Sequence, residues 1–350
     1  MRYLDIDTPK KISKIGLGTV QFASKDWGYG EDYAQREAHA IVRRAVELGV
    51  TLFDTAEIYS AGYSERILGR ALGENRGSVV IADKIFPVVP SAPLVAQRAR
   101  ASASRLGVSR LDLYQVHYPN PLVSDRAIMR GMRSLQRAGV VGEVGVSNYS
   151  VARWSAAEAA LGTRILSNQV EYSLIARSAE EDLLPFAESH SRIIIAFSPL
   201  ARGLLSGRFH GSGRTMDLVR ATSTRFLPES IDRSEPLIGI LREVAEAHGA
   251  TLAQIALAWV IHHPVVAAIP GASSIEQLES NVAAAEIRLA DGEYQALQAA
   301  SSWSRECSVR KSPIRRKASE LRHCARIGVK YLPQTLWQDF RFKHRTPSKI

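Results

Sequence analysis

Cysteine is almost missing from this 350-residue chain, which carries only Cys307 and Cys324. Two thiols cannot build a disulfide framework, and their spacing matches no metal site. A small cross-linked secreted domain is thereby excluded, and a reducing cytoplasm is the expected compartment. Long apolar runs are missing as well. The most apolar stretch, Leu252 to Ala272, is interrupted by Gln254, His262, His263 and Pro264, so no membrane span is expected. The opening residues MRYLDIDTPKK put Asp5 and Asp7 where a secretion signal needs an apolar core. Composition is otherwise that of a globular protein, with 45% hydrophobic and 23% charged residues.

The body of the chain also lacks any excess of charge. The formal net charge is +10, but residues 302–350 hold 13 Lys/Arg against 3 Asp/Glu. Positions 1–301 then balance at 32 basic and 32 acidic residues. The basic pI describes an appendage, so the charge does not mark the body as a nucleic-acid or membrane binder. Two segments are expected: a body over 1–301 and a basic C-terminal tail over 302–350.

What is present is alternation. Short β-rich runs are read at Lys14–Gly18, Thr51–Asp54, Val79–Lys84, Leu111–His117, Glu143–Ser147, Ile165–Val170, Arg192–Ser198 and Val265–Pro270. Helical periods separate them at Arg36–Leu48, Ser64–Leu72, Pro93–Leu106, Ser124–Ala138, Val151–Leu161 and Glu180–Ser189. Two more helices fall within Ser234–His263, split at Gly249, and another covers Ile275–Ala285. Runs such as VVIA and IIIAF are apolar on both faces, as buried parallel strands are. Eight βα units predict a (β/α)8 TIM barrel, with a short N-terminal hairpin before it. The rival, an open doubly wound sheet, would need G-x-G-x-x-G after the first strand. Here Gly16-Leu-Gly18-Thr-Val-Gln21 puts glutamine in the third place.

In a barrel, the carboxyl ends of the strands face the active site. Reading the end of each run gives Asp54, Lys84, His117, Ser147 with Asn148, Gln169, and Ser198. One such residue alone reads as a helix cap; six in register around a ring do not. Lys84 at the end of VVIADK needs a partner, and Asp54 is the obvious one. Tyr59 follows five residues after Asp54 on the connecting loop. A tyrosine is a poor acid near neutrality, with a free pKa of about 10. An adjacent ammonium favours the phenolate and brings proton release toward the working range. A carboxylate holds that ammonium in place, and His117 can orient a carbonyl oxygen. Such a group can protonate an oxyanion as hydride arrives at carbon.

The chain resembles the aldo-keto reductases over residues 1 to about 300. The resemblance is carried by FDTAEIY, GYSERILGRAL, the strand-end Lys84, YQVHYP, GVSN, SNQVEYS, AFSPLARGLLSGR and IPGASSIEQLESN, in the family's order and spacing. It implies a catalytic tetrad of Asp54, Tyr59, Lys84 and His117, with Tyr59 as the acid. It also implies an extended nicotinamide cofactor, NADPH before NADH, lying across the barrel mouth. Gly18 and Thr19 would flank the nicotinamide, and Ser147, Asn148 and Gln169 would hold its carboxamide. Ser198, Leu200, Gly203 and Leu204 would wrap the pyrophosphate, and Gly271, Ser273, Gln277 and Asn281 would line the adenosine end.

Two departures matter. Phe197 stands where relatives often place Tyr or Trp before SPL, which keeps a stacking face without the polar handle. Ala272-Ser273-Ser274 stands where many relatives carry the cation that pairs with the 2′-phosphate. Serine cannot neutralise a dianion, so Arg208, Arg220 and Arg225 are the expected sources of charge. Trp27, Tyr29, Phe86 and Tyr118 are candidate substrate walls for a small-molecule carbonyl compound. No metal is called for.

The tail matches nothing in the barrel pattern. Arg315-Arg316-Lys317 and Phe340-Arg-Phe-Lys-His-Arg345, interleaved with Trp337, raise nucleic-acid or anionic-membrane binding. A dispensable tail, with a helix around Ser319–Ile327, is the preferred expectation. The sequence thus predicts an NADPH-dependent reduction of aldehydes and ketones to alcohols. A cofactor-sensing regulatory or binding subunit of slow turnover is the alternative from a different class.

Overall fold

The computed structural model describes residues 1–22, 31–87, 91–120, 124–211, 220 and 223–303, within a compact unit spanning Met1–Arg310. The expectations for Trp27, Tyr29 and the tail beyond Trp303, with both cysteines, lie outside the described residues. Strands β1 (Leu17–Gly18), β2 (Leu52–Asp54), β3 (Val80–Ile85), β4 (Leu111–Val116), β5 (Val141–Ser147), β6 (Ser167–Glu171), β7 (Ile193–Phe197) and β8 (Val266–Ala268) pair in chain order. All seven pairings between consecutive strands are parallel. Parallel bridges Ile15↔Ala268 and Gly18↔Gly271 then join the last strand to the first. Gly16 N–H donates to the Ala268 carbonyl and Ala268 N–H to the Lys14 carbonyl, each at 2.8 Å. The ring closes, and the fold is the (β/α)8 barrel.

Gly18 is needed at that seam because the two backbones approach too closely for a side chain: a Cβ there would lie 2.9 Å from the Ile269 carbonyl oxygen. A Cβ on Gly271 would instead meet the Gln21 side-chain amide, 2.6 Å from Oε1.

Period-two alternation sorts the strand side chains into two layers. Leu52, Val80, Ala82, Leu113, Ile193, Ile195 and Ala267 fill the barrel, while Phe53, Ile81, Tyr114, Val144, Val146 and Ile194 pack outward against the helices. A leucine as buried as Leu113 contributes about 1.5–3 kcal/mol to folding. The N-terminal hairpin is present: Leu4 N–H donates to the Ile12 carbonyl at 2.8 Å, and Tyr3 bridges Ser13 antiparallel. Its Leu4 and Ile12 join the inner layer and stopper the amino end of the barrel. A cavity of about 430 Å³ opens beside that stopper, lined by Lys10, Ile12, Arg76, Arg110, Leu113 and Glu143. It lies at the opposite end from the strand-end polar ring, on the face that serves stability in such barrels.

The helices are α1 (Glu31–Glu47), α2 (Tyr63–Leu72), α3 (Ala92–Leu106), α4 (Arg126–Arg137), α5 (Val151–Leu161), α6 (Leu183–Ser189), α7 (Pro228–Ala247), α8 (Leu252–Val260), α9 (Ile275–Ala283) and α10 (Asp291–Ala300). Local chemistry starts several of them. Ser150 accepts from Arg153 N–H ahead of α5, and Ser274 accepts from Gln277 N–H ahead of α9. Thr251 and Gln254 form a reciprocal capping box ahead of α8. Helix α1 starts ahead of the expected Arg36, and α10 was not expected from the sequence at all.

Candidate active site

The carboxyl ends of the strands bring five of the six strand-end groups into one buried, hydrogen-bonded cluster. Lys84, 0% exposed, ends the inward-facing series Val80, Ala82, Lys84 of β3. Its Nζ donates to both Asp54 oxygens at 2.6 Å and to the Thr55 carbonyl at 2.8 Å. Asp54 also accepts from Gln169 Nε2 at 2.7 Å. Burial pushes the Asp54 carboxyl up and the Lys84 ammonium down, while their mutual attraction and hydrogen bonds pull each back. Bidentate contact and three donated bonds favour the ionised pair.

Tyr59 reaches this pair from the loop between β2 and α2. The Lys84 Nζ lies 5.1 Å from the centre of its ring, and the His117 ring lies edge-on at 5.7 Å. His117 is itself fixed by its N–H to the Ile85 carbonyl at 2.9 Å and by stacking on Tyr118 at 4.9 Å. Phe86 meets both His117 and Tyr118 edge-on at 6.3 Å. Two of the expected substrate walls thus stand around His117.

The residues expected at the carboxamide adjoin the same cluster. Ser147 Oγ donates to the Gln169 carbonyl at 2.8 Å, and Asn148 Nδ2 donates to Ser147 Oγ at 2.9 Å. Asn148 holds the left-handed φ of 62° at the strand end, where asparagine is tolerated better than most side chains. Thr19 joins from β1, but its hydroxyl is turned inward. It donates to the Asp54 carbonyl at 2.8 Å and meets Ser64 Oγ at 2.8 Å, and the residue is 0% exposed. Gly18, beside it, sits in the seam with Gly271.

The other two groups assemble separately. After Phe197 the chain turns through positive φ at Ser198, Ala201, Arg202 and Gly203. Leu200 is half-buried and Leu204 buried beneath this turn. Arg208 and Arg220 both lie over the Phe209 ring, at 5.5 and 5.4 Å, and Arg220 Nε donates to the Arg202 carbonyl at 2.9 Å. Arg225 does not join them, because its guanidinium pairs with Glu171. On the loop after β8, Gln277 Oε1 accepts from Ser273 N–H and Oγ at 3.0 and 2.7 Å, and Asn281 Nδ2 donates to the Gly271 carbonyl at 3.3 Å.

Sequence reading passed over the neighbours around the Tyr59 loop, chiefly Glu57 with Arg98 and Glu65 with Arg105. Glu57 lies inside the quoted FDTAEIY block, so it was visible, but its partner 41 residues away was not.

Three comparisons bear on this geometry. The model of the Aldo/keto reductase family matches residues 14–302. An uncharacterised oxidoreductase of Mycobacterium tuberculosis (strain H37Rv) is 55% identical over 297 residues, covering 85% of this chain and 92% of its own. Among solved structures, the glycerol dehydrogenase of Gluconobacter oxydans superposes with a TM-score of 0.78 at 25% identity, over 85% of this chain and 94% of that one. An aldo-keto reductase of Klebsiella pneumoniae in complex with NADPH superposes with a TM-score of 0.68 at 30% identity, with the same coverage.

Proposed function

The chain belongs to the aldo/keto reductase family of NAD(P)H-dependent oxidoreductases, and we propose that it reduces aldehydes and ketones with Tyr59 as the proton donor. The observation that carries this reading is the buried Lys84–Asp54 pair set beside the Tyr59 and His117 rings.

The donors present suit a nicotinamide dinucleotide. Ser147, Asn148 and Gln169 offer amide and hydroxyl groups next to the tetrad, matching a carboxamide that both donates and accepts. The turn over 198–203, with Arg208 and Arg220 at its side, matches a pyrophosphate. Phe197 supplies a stacking face. We assign the adenosine end to Gly271, Ser273, Gln277 and Asn281. NADPH is our choice over NADH, on the NADPH-bound relative.

When bound, the cofactor supplies hydride to the carbonyl carbon. The chain's own groups manage the oxygen. His117 orients the carbonyl, Tyr59 passes its hydroxyl proton to the developing alkoxide, and the Lys84 ammonium stabilises the phenolate that remains. Asp54 and Gln169 keep that ammonium in place, and solvent restores the tyrosine proton after the alcohol leaves. Residues 1–301 carry this activity in our reading, in a reducing cytoplasm consistent with the scarcity of cysteine.

The test is loss of NADPH absorbance with a panel of aliphatic and aromatic aldehydes, with NADH in parallel. Turnover with NADPH well above NADH is expected, and Tyr59→Phe should keep cofactor affinity while losing about 10²–10⁴-fold in kcat. Retained turnover in Tyr59→Phe would remove the tyrosine from its role. Tight NADPH binding with no turnover on any aldehyde would favour the cofactor-sensing alternative.

A further inference from the structure

We propose that helix α3 is a splint for the loop that carries Tyr59, with Arg98 and Arg105 as positioning residues that touch neither substrate nor cofactor. The proposal rests on the reading of Tyr59 as proton donor.

The loop is held in a conformation it would not adopt alone. Directly after Tyr59 come three left-handed residues: Ser60 at φ 49°, Ala61 at φ 53° and Gly62 at φ 81°. Serine and alanine avoid this region, and such strain persists only where the surroundings over-determine it. The surroundings here are two ion pairs from one face of α3. Arg98 and Arg105 are seven residues apart, two helical turns, so both point the same way, with Ser102 between them.

The first pair grips the loop before Tyr59. Arg98 engages both carboxylate oxygens of Glu57, with Nε to Oε2 at 3.0 Å. Glu57 Oε1 also accepts from Phe86 N–H at 2.6 Å, and Glu57 N–H donates to the Lys84 carbonyl at 3.3 Å. One carboxylate therefore ties the tyrosine loop, the end of the lysine strand and α3 together. The second pair grips the first turn of α2, just after the left-handed residues. Arg105 takes both oxygens of Glu65, with Nη2 to Oε1 at 3.1 Å, and is steadied by Ser102 Oγ at 3.0 Å. Gly62 lies flat on this pair. A Cβ there would stand 2.6 Å from Arg105 Nε and 2.9 Å from Glu65 Oε2.

The network is also balanced. Asp83, 0% exposed, is a third acid in this network and interacts through space with Glu57, Glu65 and Arg105. Burial, and after it Glu65, raise its carboxyl well above the usual range, which favours the uncharged acid. Two guanidiniums then face two carboxylates. Each guanidinium sits on its own carboxylate, Arg98 on Glu57 and Arg105 on Glu65.

The test compares Arg98→Met, Arg105→Met, Arg98→Lys and Tyr59→Phe in the full chain, after thermal melts show which variants are folded at the assay temperature. Both methionine variants should lose about ten- to a hundred-fold in kcat, the scale of a catalytic group displaced by an ångström or less. Their NADPH Kd should stay within twofold, because those contacts come from other strands. The limb of the kcat–pH profile that Tyr59→Phe abolishes should move in both, and Arg98→Lys should restore part of kcat. Folded methionine variants with wild-type kcat and an unmoved limb overturn the splint while leaving Tyr59→Phe to report on the acid. A fall in kcat matched by an equal loss of folded protein, with the limb unmoved, overturns it as well. Turnover retained in Tyr59→Phe overturns the reading beneath it.

Discussion

Replacing Lys84 by methionine separates what the buried pair does for stability from what it does for turnover. Lys84 is fully buried, and its three bonds go to Asp54, twice, and to Thr55. Methionine occupies a comparable volume but leaves the Asp54 carboxylate, 2% exposed, still bonded by the Gln169 amide but without its countercharge. Removing one member of a buried pair costs about 3–5 kcal/mol, because the other charge stays buried uncompensated. At about 2–4 °C per kcal/mol for a domain of this general size, the melting temperature should fall by roughly 6–20 °C. The loss should depend on pH. Burial already raises the Asp54 carboxyl, and without the ammonium only the Gln169 hydrogen bond opposes that push. A folded-state pKa above the unfolded one means stability present at low pH and lost as pH rises through the folded value. The deficit should therefore be small near pH 5 and grow toward pH 8. Adding Asp54→Asn to Lys84→Met should recover most of the lost stability while leaving turnover absent, since no ammonium remains for the tyrosine. Urea unfolding of the four proteins of this cycle, at both pH values, reads the coupling. Strictly additive losses, or a deficit that shrinks with rising pH, would refute the picture of a coupled buried ion pair.

Asp83→Asn makes a contrasting case. Its carboxyl is raised by burial and by Glu65, so the wild type gives up stability as pH rises above the ordinary carboxylate range, and the amide does not. The variant should match the wild type in acid and exceed it toward pH 8 in thermal melts; a variant that is less stable there would contradict a raised Asp83 carboxyl. Gly69→Ala should destabilise by about 1–3 kcal/mol, because a Cβ at this position of α2 would lie 2.3 Å from the Leu106 carbonyl oxygen of α3. Denaturant midpoints check it, and no change would mean that α2 and α3 can separate freely. Truncation after Trp303 keeps the last described turn and the Ser301 contact to Arg177. The shortened protein should melt and turn over like the full chain, and a loss of either property would show that the tail belongs to the working enzyme.

The residues that could be read from sequence and those that could not differ in one physical respect. Asp54, Lys84, His117, Ser147 and Gln169 were legible because the barrel imposes a rule on them: a polar side chain straight after an apolar run points into the mouth. The same rule let five of them be placed together before any contact was known. The strands themselves were found because β3 and β7 are apolar on both faces, and only their ends slipped, as at β6, which runs Ser167–Glu171. Helix α10 escaped because Leu297 is its one fully buried residue, so it offers no apolar stripe to the eye. Its start is set instead by Glu293, which accepts from the Ala290 N–H at 2.8 Å. The α3 arginines escaped for a related reason. Within APLVAQRARASASRL, Arg98 and Arg105 look like the solvated face of an amphipathic helix, yet they lie toward α2 and the loop. A charge that faces inward to meet a carboxylate from another βα unit leaves no local pattern, because the pairing is made by the closing of the barrel. Glu57 and Glu65 carry the only trace: two acids flanking a glycine-containing turn at Ser60–Gly62, which no tight turn requires. Acids on both sides of a strained loop, opposite basic residues two helical turns apart on the next helix, are therefore a signature worth seeking in other barrels, where an ion pair can fix a loop that hydrophobic packing does not reach.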